Sequence, residues 1–472
     1  MADESAHSTA QQRHHTRPSS LAQPAHAPSA SDRHDRDPSL APPPGRVARQ
    51  QESLPAVGTY HCHDDYANLD ELAKVPSPGE SVQDVGNDEA DAPRPSRHNS
   101  PPRHGEKHGR QTVSKRLTQL YTLSHLVFFA LMGTLARLGL TALTRYANTP
   151  VLFNGIWANF GGSAVMGFLA EDGMLFRQEW GDATHDRTAA QARRPRDEEA
   201  GSECGPGHAA AKKAHLACKK TIPLYIGLAT GFCGSFTSFS AFIRDVFLAM
   251  SNDLRAPVSG AAAESRHGAT SFMAMVAVVV TTVALSLGGL RLGAHCAMAT
   301  ERLVPSLPYA ATRNLIDPLF VLLGWGCWAG AVVLAVFPPE DAWRGQVVFA
   351  LVFSPLGCLA RFYLALGLNG KMATFPLGTL AANVAGTAIL GMAWDLAHVG
   401  SGGLVGCQLL QGVEDGFCGC LTTVSTWVAE LHGLGRRSAY VYGCASVLAS
   451  LAVMVVIMGG LRWTDGWSAL VC

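Results

Sequence analysis

Three short motifs occur twice in this chain, in the same order, and this duplication limits what the chain can fold into. The matching pairs are residues 133–137 (GTLAR) with 357–361 (GCLAR), residues 159–162 (NFGG) with 383–386 (NVAG), and residues 231–242 (GFCGSFTSFSAF) with 416–427 (GFCGCLTTVSTW). All of them lie in apolar sequence. The pattern therefore predicts a duplicated membrane domain.

The spacing of the motifs predicts an insertion in the first copy. The first two pairs are offset by 224 residues (361 − 137 and 383 − 159), and the third pair by 185 (416 − 231). The difference of 39 residues (224 − 185) is the size expected of a hydrophilic insertion, and the stretch at about 171–220 is hydrophilic.

Nine apolar stretches are long enough to cross a bilayer, since a spanning helix needs about 20 mostly apolar residues. They cover residues 121–144, 149–170, 222–250, 270–290, 315–337, 345–367, 376–397, 408–432 and 438–461. The first four and the last four form the two repeats, and the stretch at 315–337 has no partner. One extra crossing turns the second repeat over relative to the first. The sequence thus predicts an all-α membrane protein of about nine transmembrane helices, arranged as two inverted four-helix repeats joined by a central span.

The 472 residues are 47% hydrophobic and 16% charged, with a formal net charge of zero, but the composition changes sharply along the chain. The first 115 residues are rich in His, Pro, Ser, Asp and Arg, and such sequence cannot bury enough apolar surface to offset chain entropy. The predicted organisation is a disordered cytoplasmic tail (1–115), a first repeat that contains the insertion (116–292), a linker with the central transmembrane helix (293–340), a second repeat (341–463) and a short C-terminal tail (464–472).

Basic residues predict the orientation of the helices. They precede the first span, occur in the insertion, flank the stretch before the central span and lie between the last two spans; they include Lys107, Arg110, Lys115, Arg116, Arg193, Arg194, Lys212, Lys213, Lys219, Lys220, Arg291, Arg302, Arg313, Arg436 and Arg437. All lie on one side if the N-terminus is cytoplasmic, which satisfies the positive-inside tendency. The C-terminal tail is then extracellular.

The cysteines and the polar residues indicate neither a disulfide framework nor an enzyme. Several of the twelve cysteines lie within apolar stretches, where cysteine behaves as a small hydrophobe. The sequence has no nucleophile paired with a base, no phosphate-binding loop and no zinc-ligand spacing. We therefore expect a protein without enzymatic activity.

The repeated glycine-rich motif predicts a break within a membrane helix. Gly231 and Gly234 weaken the helix, and the hydroxyls of Thr237, Ser238 and Ser240 can redirect backbone hydrogen bonds. Irregular backbone at that depth must be buried in protein or line a polar cavity, where its carbonyls could hold a cation. The alternative is a kink that only allows close helix packing.

Two pairs of motif side chains, the phenylalanines and the asparagines, have both a functional and a structural interpretation. Phe239 and Phe242 share one helical face, and their electropositive ring edges could contact an anion, or the pair could be core or lipid-facing. Asn159 and Asn383 could donate hydrogen bonds to an anion or tie two helices together.

The two arginines of the repeated motif, Arg137 and Arg361, are costly at membrane depth unless they are paired or near an interface. They are functional candidates, with snorkelling to the headgroups as the alternative.

The motifs occur as a highly specific ordered set: G-x-x-x-R, N-x-x-G and G-F-C-G-x-x-T-[ST]-F-S-x-F. Because of this set, the chain resembles the fluoride export family. This family comprises the small bacterial fluoride channels and their fused, two-domain eukaryotic counterparts, and the match covers about residues 120–461. The bacterial forms assemble as antiparallel dimers with two fluoride pathways. The resemblance implies that the central span achieves this arrangement in one chain, as a monomer with an internal pseudo-dimer.

The resemblance also implies roles for individual residues. The predicted fluoride pathway comprises the aromatic box of Phe239 and Phe242, the polar Asn159 and Asn383, the vestibule arginines Arg137 and Arg361, and Trp427. A structural sodium ion would be held by the backbone carbonyls of Gly234, Thr237, Gly419 and Thr422. The second repeat departs from the pattern, since Val424 and Trp427 stand where Phe239 and Phe242 stand, and this puts the second pathway in doubt.

The implied function is a passive, fluoride-selective channel of the plasma membrane that exports fluoride from the cytosol and confers fluoride resistance. Its expected surroundings are the lipid bilayer, with no nucleic-acid partner. An inverted-repeat transporter of a small metabolite and a membrane scaffold with vestigial pores are the alternatives.

Overall fold

The structure is a computed structural model that describes residues 115–146, 149–153, 155–177, 219–254, 266–399 and 402–472. The predicted tail, up to residue 114, and most of the predicted insertion (178–218) lie outside the described residues. The described part consists of helices joined by turns and irregular segments, without a strand, which confirms the predicted all-α class.

Nine long helices make up the described part of the chain. They are α1 (Lys115–Thr144), α2 (Gly155–Glu171), α3 (Pro223–Ser251), α4 (Gly268–Thr300), α5 (Thr312–Val336), α6 (Asp341–Lys371), α7 (Leu377–His398), α8 (residues 403–433) and α9 (Arg436–Thr464). α4 continues past the predicted end of its apolar stretch, so the predicted domain boundary at residue 293 falls inside a helix.

Seven of these helices, all but α2 and α8, are long and apolar enough to cross a membrane. α2 has 17 residues, and α8 is interrupted in its middle. The chain is a multi-pass membrane protein, and the exact count of nine crossings stays a prediction.

The helices α3 and α8 are broken at equivalent positions, which confirms the break predicted from the repeated motif. In α3, a π-helical turn at Gly227–Cys233 leads to extended backbone at Thr237 (φ −97°, ψ 150°), and the helix resumes as α3b (Phe239–Ser251). In α8, the π-helical turn is Val413–Cys418, Thr422 is extended (φ −98°, ψ 154°), and the helix resumes as α8b (Ser425–Gly433).

Small residues let α2 and α4 approach closely. A Cβ added to Gly289 would lie 2.6 Å from the Phe160 carbonyl oxygen, and one added to Gly293 or Gly167 would overlap the backbone of the facing helix. Such contacts are typical of membrane helix interfaces, where packing replaces the hydrophobic drive between helices.

The central helix α5 lies against α1 along a narrow seam. Its buried residues after the first turn are Asp317, Gly324 and Ala331, spaced seven apart, so one stripe faces the protein. At Gly324 a Cβ would lie 2.6 Å from the Ser124 carbonyl oxygen. Most of the remaining surface of α5 is exposed and apolar, which suits contact with lipid.

A buried polar cluster fixes this seam. The imidazole Nε2 of His125 lies 2.9 Å from Asp317 Oδ1, and Arg313 Nη1 lies 3.1 Å from Asp317 Oδ2. The Arg313 guanidinium also donates to the Thr118 hydroxyl and lies over the Tyr121 ring. The side chains of His125 and Asp317 are fully buried, so the Asp317 carboxylate depends on these contacts for its stabilisation.

The structure contains one disulfide that the sequence did not predict. Cys407, near the start of α8, is bonded to Cys472, with 5.8 Å between their Cα atoms. The cysteines within apolar stretches, from which no disulfide framework was inferred, are free in the described residues.

The substitution Asp317→Asn should destabilise the protein by about 3–5 kcal/mol, because it removes the buried carboxylate that His125 and Arg313 both contact. Asp341→Asn is the matched control, since that carboxylate is 72% exposed in its pair with Arg344 and should contribute at most about 1 kcal/mol. Thermal unfolding of the two variants in the same detergent measures the difference. Equal losses of stability would contradict the proposed importance of the buried cluster.

Candidate functional site

Thr422, at the break in α8, caps the second half of the broken helix in the other repeat. Its hydroxyl oxygen accepts hydrogen bonds from the backbone N–H groups of Phe239 (3.1 Å) and Ser240 (3.0 Å), the first residues of α3b. The same hydroxyl donates to the Cys418 carbonyl oxygen at 2.9 Å. The first N–H groups of a helix have no partner within that helix, so this contact satisfies donors that would otherwise be unpaired.

Thr237 returns the same contact from the first repeat. Its hydroxyl oxygen accepts from the backbone N–H groups of Val424 and Ser425, both at 3.1 Å, at the start of α8b. It donates to the Cys233 carbonyl oxygen at 3.1 Å, which is the equivalent of the Cys418 contact. Each repeat therefore supplies two hydrogen bonds to the start of the other's broken helix, beside the cap that Ser238 and Thr423 give to their own.

The two motif arginines also make equivalent contacts across the repeats. Arg137 Nε donates to the Ser235 carbonyl oxygen at 3.0 Å, and its Nη2 donates to the carbonyl of Asp415. Arg361 makes the corresponding pair with the carbonyl oxygens of Cys420 and Thr230, both at 2.8 Å. Through these hydrogen bonds each guanidinium joins the two broken helices. Both arginine side chains are almost fully buried.

This arrangement satisfies the arginines inside the protein. Carbonyls at the ends of helix segments carry partial negative charge, which favours a cation there. Arg137 has a further partner, since its Nη1 lies 3.8 Å from Asp415 Oδ1, and the residue equivalent to Asp415 in the first repeat is Thr230. The vestibule role of Arg137 and Arg361 stays a prediction.

Glycine is required where the arginines meet the broken helices. A Cβ on Gly234 would overlap the Arg361 guanidinium, and a Cβ on Gly419 would overlap that of Arg137. These are two of the residues predicted to hold sodium through their carbonyls. The close approach of the arginines is sufficient to explain why both residues are glycine.

The two predicted pathway asparagines tie α2 and α7 to the breaks of their own repeats. Asn159 Oδ1 accepts from Ser238 N at 2.9 Å, and Asn383 Oδ1 accepts from Thr423 N at 2.9 Å. Each Nδ2 donates to the carbonyl oxygen of the same partner, at 3.5 Å and 3.3 Å. Each amide thus stabilises a break, and a carboxamide has a second N–H that this contact does not use.

The structure brings three predicted aromatic residues together. Phe239 packs edge-to-face against Phe242 (ring centroids 5.5 Å apart, 84° between planes) and against Trp427 (5.2 Å, 73°). All three are buried in one apolar cluster, which also contains Val424. Trp427 Nε1 is buried and has no hydrogen-bond partner among the described residues.

The second halves of the broken helices pack against helices of the opposite repeat. α3b lies against α7 and α9, and also against α4 of its own repeat, whereas α8b lies against α2 and α4, and also α9. Phe239 and Phe242 therefore lie on a helix segment that packs against α7, the helix that carries Asn383.

Sequence reasoning missed several buried polar residues beside the break. On α9, Tyr442, Ser446 and Ser450 recur every four residues and are fully buried. Hydroxyls at this spacing in an apolar helix share one face, and that pattern is visible in the sequence. The threonine caps were missed for a different reason, since a hydroxyl that caps a helix far along the chain leaves no local signal.

The breaks offer oxygen atoms for a cation. Thr237 and Thr422 are fully buried and have extended backbone, so their carbonyls lie at the interruption of the helical hydrogen-bond ladder. Sodium prefers oxygen ligands, and a symmetric pair of such carbonyls fits the predicted site. Among the described residues no cluster of His, Cys, Asp or Glu could hold a metal ion instead.

The substitution Gly419→Ala should lower the folded yield and the thermal stability, because its Cβ would displace the Arg137 guanidinium from the carbonyls that it joins. Gly234→Ala should act in the same way on Arg361. Gly326→Ala, on α5, is the control, since an added Cβ meets nothing within 4 Å there. Monodispersity and thermal unfolding in detergent measure the effect, and normal stability of both site variants would refute the close approach.

Comparison with known proteins assigns the chain to a family. Residues 125–294 and 348–460 match the family described as "CrcB-like protein, Camphor Resistance (CrcB)", so both halves carry the match. "Fluoride export protein 1" of Neurospora crassa is 58% identical over 377 residues, which cover 77% of this chain and 70% of that protein. "Fluoride export protein 1" of Candida albicans is 32% identical over 376 residues, 77% of this chain and 86% of that protein.

A bacterial relative matches about one repeat. "Fluoride-specific ion channel FluC" of Geotalea daltonii is 34% identical over 113 residues, which are 23% of this chain and 88% of that protein. No solved structure matches the chain. With two matching halves and relatives along most of its length, the chain belongs to the CrcB-like family, the family of the fluoride export proteins.

Proposed function

We propose that this protein is a passive, fluoride-selective channel that exports fluoride from the cytosol across the plasma membrane. The observation that carries the proposal is the pair of broken helices that cap each other at Thr237 and Thr422, in a chain whose relatives are named as fluoride exporters. Broken helices place polar backbone at membrane depth, which is tolerated where it is buried in protein or lines a pathway for ions.

The proposed pathway runs beside α3b, where it is bordered by α7 and α9. Phe239 and Phe242 present ring edges there, and the electropositive edge of an aromatic ring attracts an anion. Asn383 lies on the adjacent α7 and has an N–H that its contact with Thr423 does not use. The corresponding position of Val424 offers only aliphatic surface, so we assign most of the flux to the pathway of Phe239 and Phe242.

Fluoride export needs no source of energy beyond the membrane potential. Hydrogen fluoride enters cells as a neutral molecule and dissociates at cytosolic pH. The anion then leaves through the channel, driven by an inside-negative potential that contributes about 2.3 kcal/mol per 100 mV for a single charge. Exit of the anion through the channel keeps the cytosolic fluoride concentration low, and this makes the cell resistant to external fluoride.

The exchange of contacts between the repeats supports an internal pseudo-dimer in a single chain. In a two-fold interface, residue i of one unit contacts residue j of the other and the reverse, and the threonine and arginine contacts follow this rule. The lone α5 between the repeats supplies the additional crossing that an inverted arrangement requires. We therefore propose a monomer with two inverted repeats.

A structural sodium ion is part of the proposal, with the carbonyls of Gly234, Thr237, Gly419 and Thr422 as its ligands. When bound, the ion would supply positive charge that draws the interrupted carbonyls together. The chain's own residues hold the same region from outside, since Arg137 and Arg361 join carbonyls of both broken helices.

The proposed orientation places the N-terminus in the cytoplasm and residues 464–472 outside. The basic residues of the first-repeat loops support it through the positive-inside tendency. The Cys407–Cys472 disulfide gives independent support, because disulfides persist in oxidising compartments and are rare in the cytosol.

Fluoride efflux from proteoliposomes, measured with a fluoride electrode, tests the proposed function. We expect rapid fluoride flux with little chloride flux, and no flux from protein-free liposomes. Phe239→Ile and Phe242→Ile should abolish flux, whereas Val424→Ala should reduce it only slightly, when all are compared at matched protein density. Normal export by both phenylalanine variants together with failure of Val424→Ala would place the main pathway in the other repeat.

Labelling in intact cells tests the orientation. An epitope inserted after residue 470 should react with an antibody without permeabilisation, and one placed at residue 5 should react only after it. A cytoplasmic location of both epitopes would rule out the inverted arrangement with nine crossings.

A further inference from the structure

Residues 465–472, which follow α9, fold back over the ends of α3b and α7, and we call them the strap. The Trp467 ring lies in the middle of the strap, 5.6 Å from the Trp394 ring, 5.5 Å from the His398 ring and 6.2 Å from the Phe247 ring, measured between centroids. Ser468 donates a hydrogen bond to the His398 carbonyl oxygen. The strap thus covers the end of the helices that border the proposed pathway.

The strap is anchored on both sides of Trp467. Before it, Arg462 makes a two-pronged ion pair with Asp253, with Nε–Oδ2 at 2.9 Å and Nη2–Oδ1 at 3.0 Å. The Arg462 guanidinium also lies 5.6 Å from the Trp467 ring centroid. After it, Cys472 is bonded to Cys407. These two anchors fix the position of the Trp467 indole against α3b and α7.

Three buried N–H donors in and under the strap lack a well-formed hydrogen bond to the described residues. They are Nε of Arg244, Nε1 of Trp394 and Nε1 of Trp467, of which the Trp467 indole makes only a weak contact with the Asp395 carboxylate. The three side chains form a continuous row, since Arg244 Cζ lies 5.5 Å from the Trp394 ring centroid and the Trp394 ring contacts Trp467. Buried donors without acceptors are rare and indicate a missing partner.

The row is next to the proposed pathway. Arg244 lies on α3b two residues after Phe242, and Trp394 lies on α7, the helix that carries Asn383. Arg244 thus lies between Phe242 and the end of α3b that the strap covers.

Nearby carboxylates limit which anion fits. Asp245 lies 3.3 Å from Arg244 Nη2, and Glu414 and Asp415 are near enough to act on the same guanidinium. Asp395 lies close to the Trp467 indole, but its Oδ1 has no hydrogen-bond partner among the described residues. Donors and an acceptor on neighbouring side chains suit a small anion that carries a water molecule, since the water can donate to a carboxylate while the N–H groups contact the ion.

We propose that Arg244, Trp394 and Trp467 form a second fluoride site beneath the strap, at the end of the Phe239–Phe242 pathway. The two indoles and the Arg244 Nε donate hydrogen bonds to a partly hydrated fluoride ion, and Asp395 accepts from its water. The site gives the ion back part of its hydration after the apolar aromatic rings. The inference rests on the proposed function, because fluoride reaches this place through that pathway.

Titration of the oxidised, full-length protein in detergent with sodium fluoride, followed by NMR of ¹⁵N-labelled indoles, tests the site. The indole N–H resonances of Trp394 and Trp467, assigned with Trp394→Phe and Trp467→Phe, should shift with added fluoride. Those of Trp325 and Trp328 should not, because they already donate to Ser124 Oγ (3.0 Å) and the Val352 carbonyl oxygen (2.9 Å). Sodium chloride is the control salt and should leave all four unchanged.

Flux measurements separate the site from the proposed function. In proteoliposomes, Trp394→Phe keeps the ring but removes the donor, and the fluoride concentration for half-maximal flux should rise by about tenfold. Trp463→Phe, the same change at a 60% exposed ring on α9, should leave it unchanged. A wild-type protein without fluoride flux would refute the proposed function. A conducting wild type whose Trp394 and Trp467 resonances do not move would refute the site alone.

Discussion

The hydroxyls of Thr237 and Thr422 are the contacts on which the remaining arrangement depends. A helix that stops at membrane depth leaves backbone N–H groups without water to satisfy them, and each unsatisfied group is costly. Here each threonine accepts from two such N–H groups of the other repeat. The breaks in α3 and α8 are therefore stable only when both repeats are in place, which makes the two halves a single unit.

The charges near the breaks are balanced by the same exchange. Arg137 and Arg361 each join carbonyls of both broken helices, and the approach of each guanidinium requires Gly419 and Gly234 to lack a Cβ. With the threonines and arginines fixed, α3b and α8b start at fixed points and directions. The ring of Phe239 then meets Phe242 from its own repeat and Trp427 from the other. The two repeats thus share the same threonine, arginine and glycine contacts, and they differ at individual positions such as Val424 and Asp415.

Two features outside the repeats hold this frame. On one side, the buried cluster of His125, Arg313 and Asp317 attaches α5 to α1, while the rest of α5 remains exposed. On the other, the Cys407–Cys472 disulfide and the Arg462–Asp253 ion pair draw the strap over α3b and α7. Each joins segments that are far apart in the chain, and the Arg462–Asp253 pair links the second repeat directly to the first.

The sequence by itself determined the helical class, the duplication, the broken helices and the family, because these depend on local composition and on motifs that recur in order. The apolar stretches matched the helices closely, since a spanning helix needs a continuous apolar run. It could not assign the partners of Thr237 or the contact of Arg361 with Thr230, which lie more than a hundred residues away in the other repeat, nor pair Cys407 with Cys472. Only the tertiary structure decided these contacts, because a hydroxyl, a guanidinium or a thiol finds its partner by proximity in space, and local sequence carries no record of that distance.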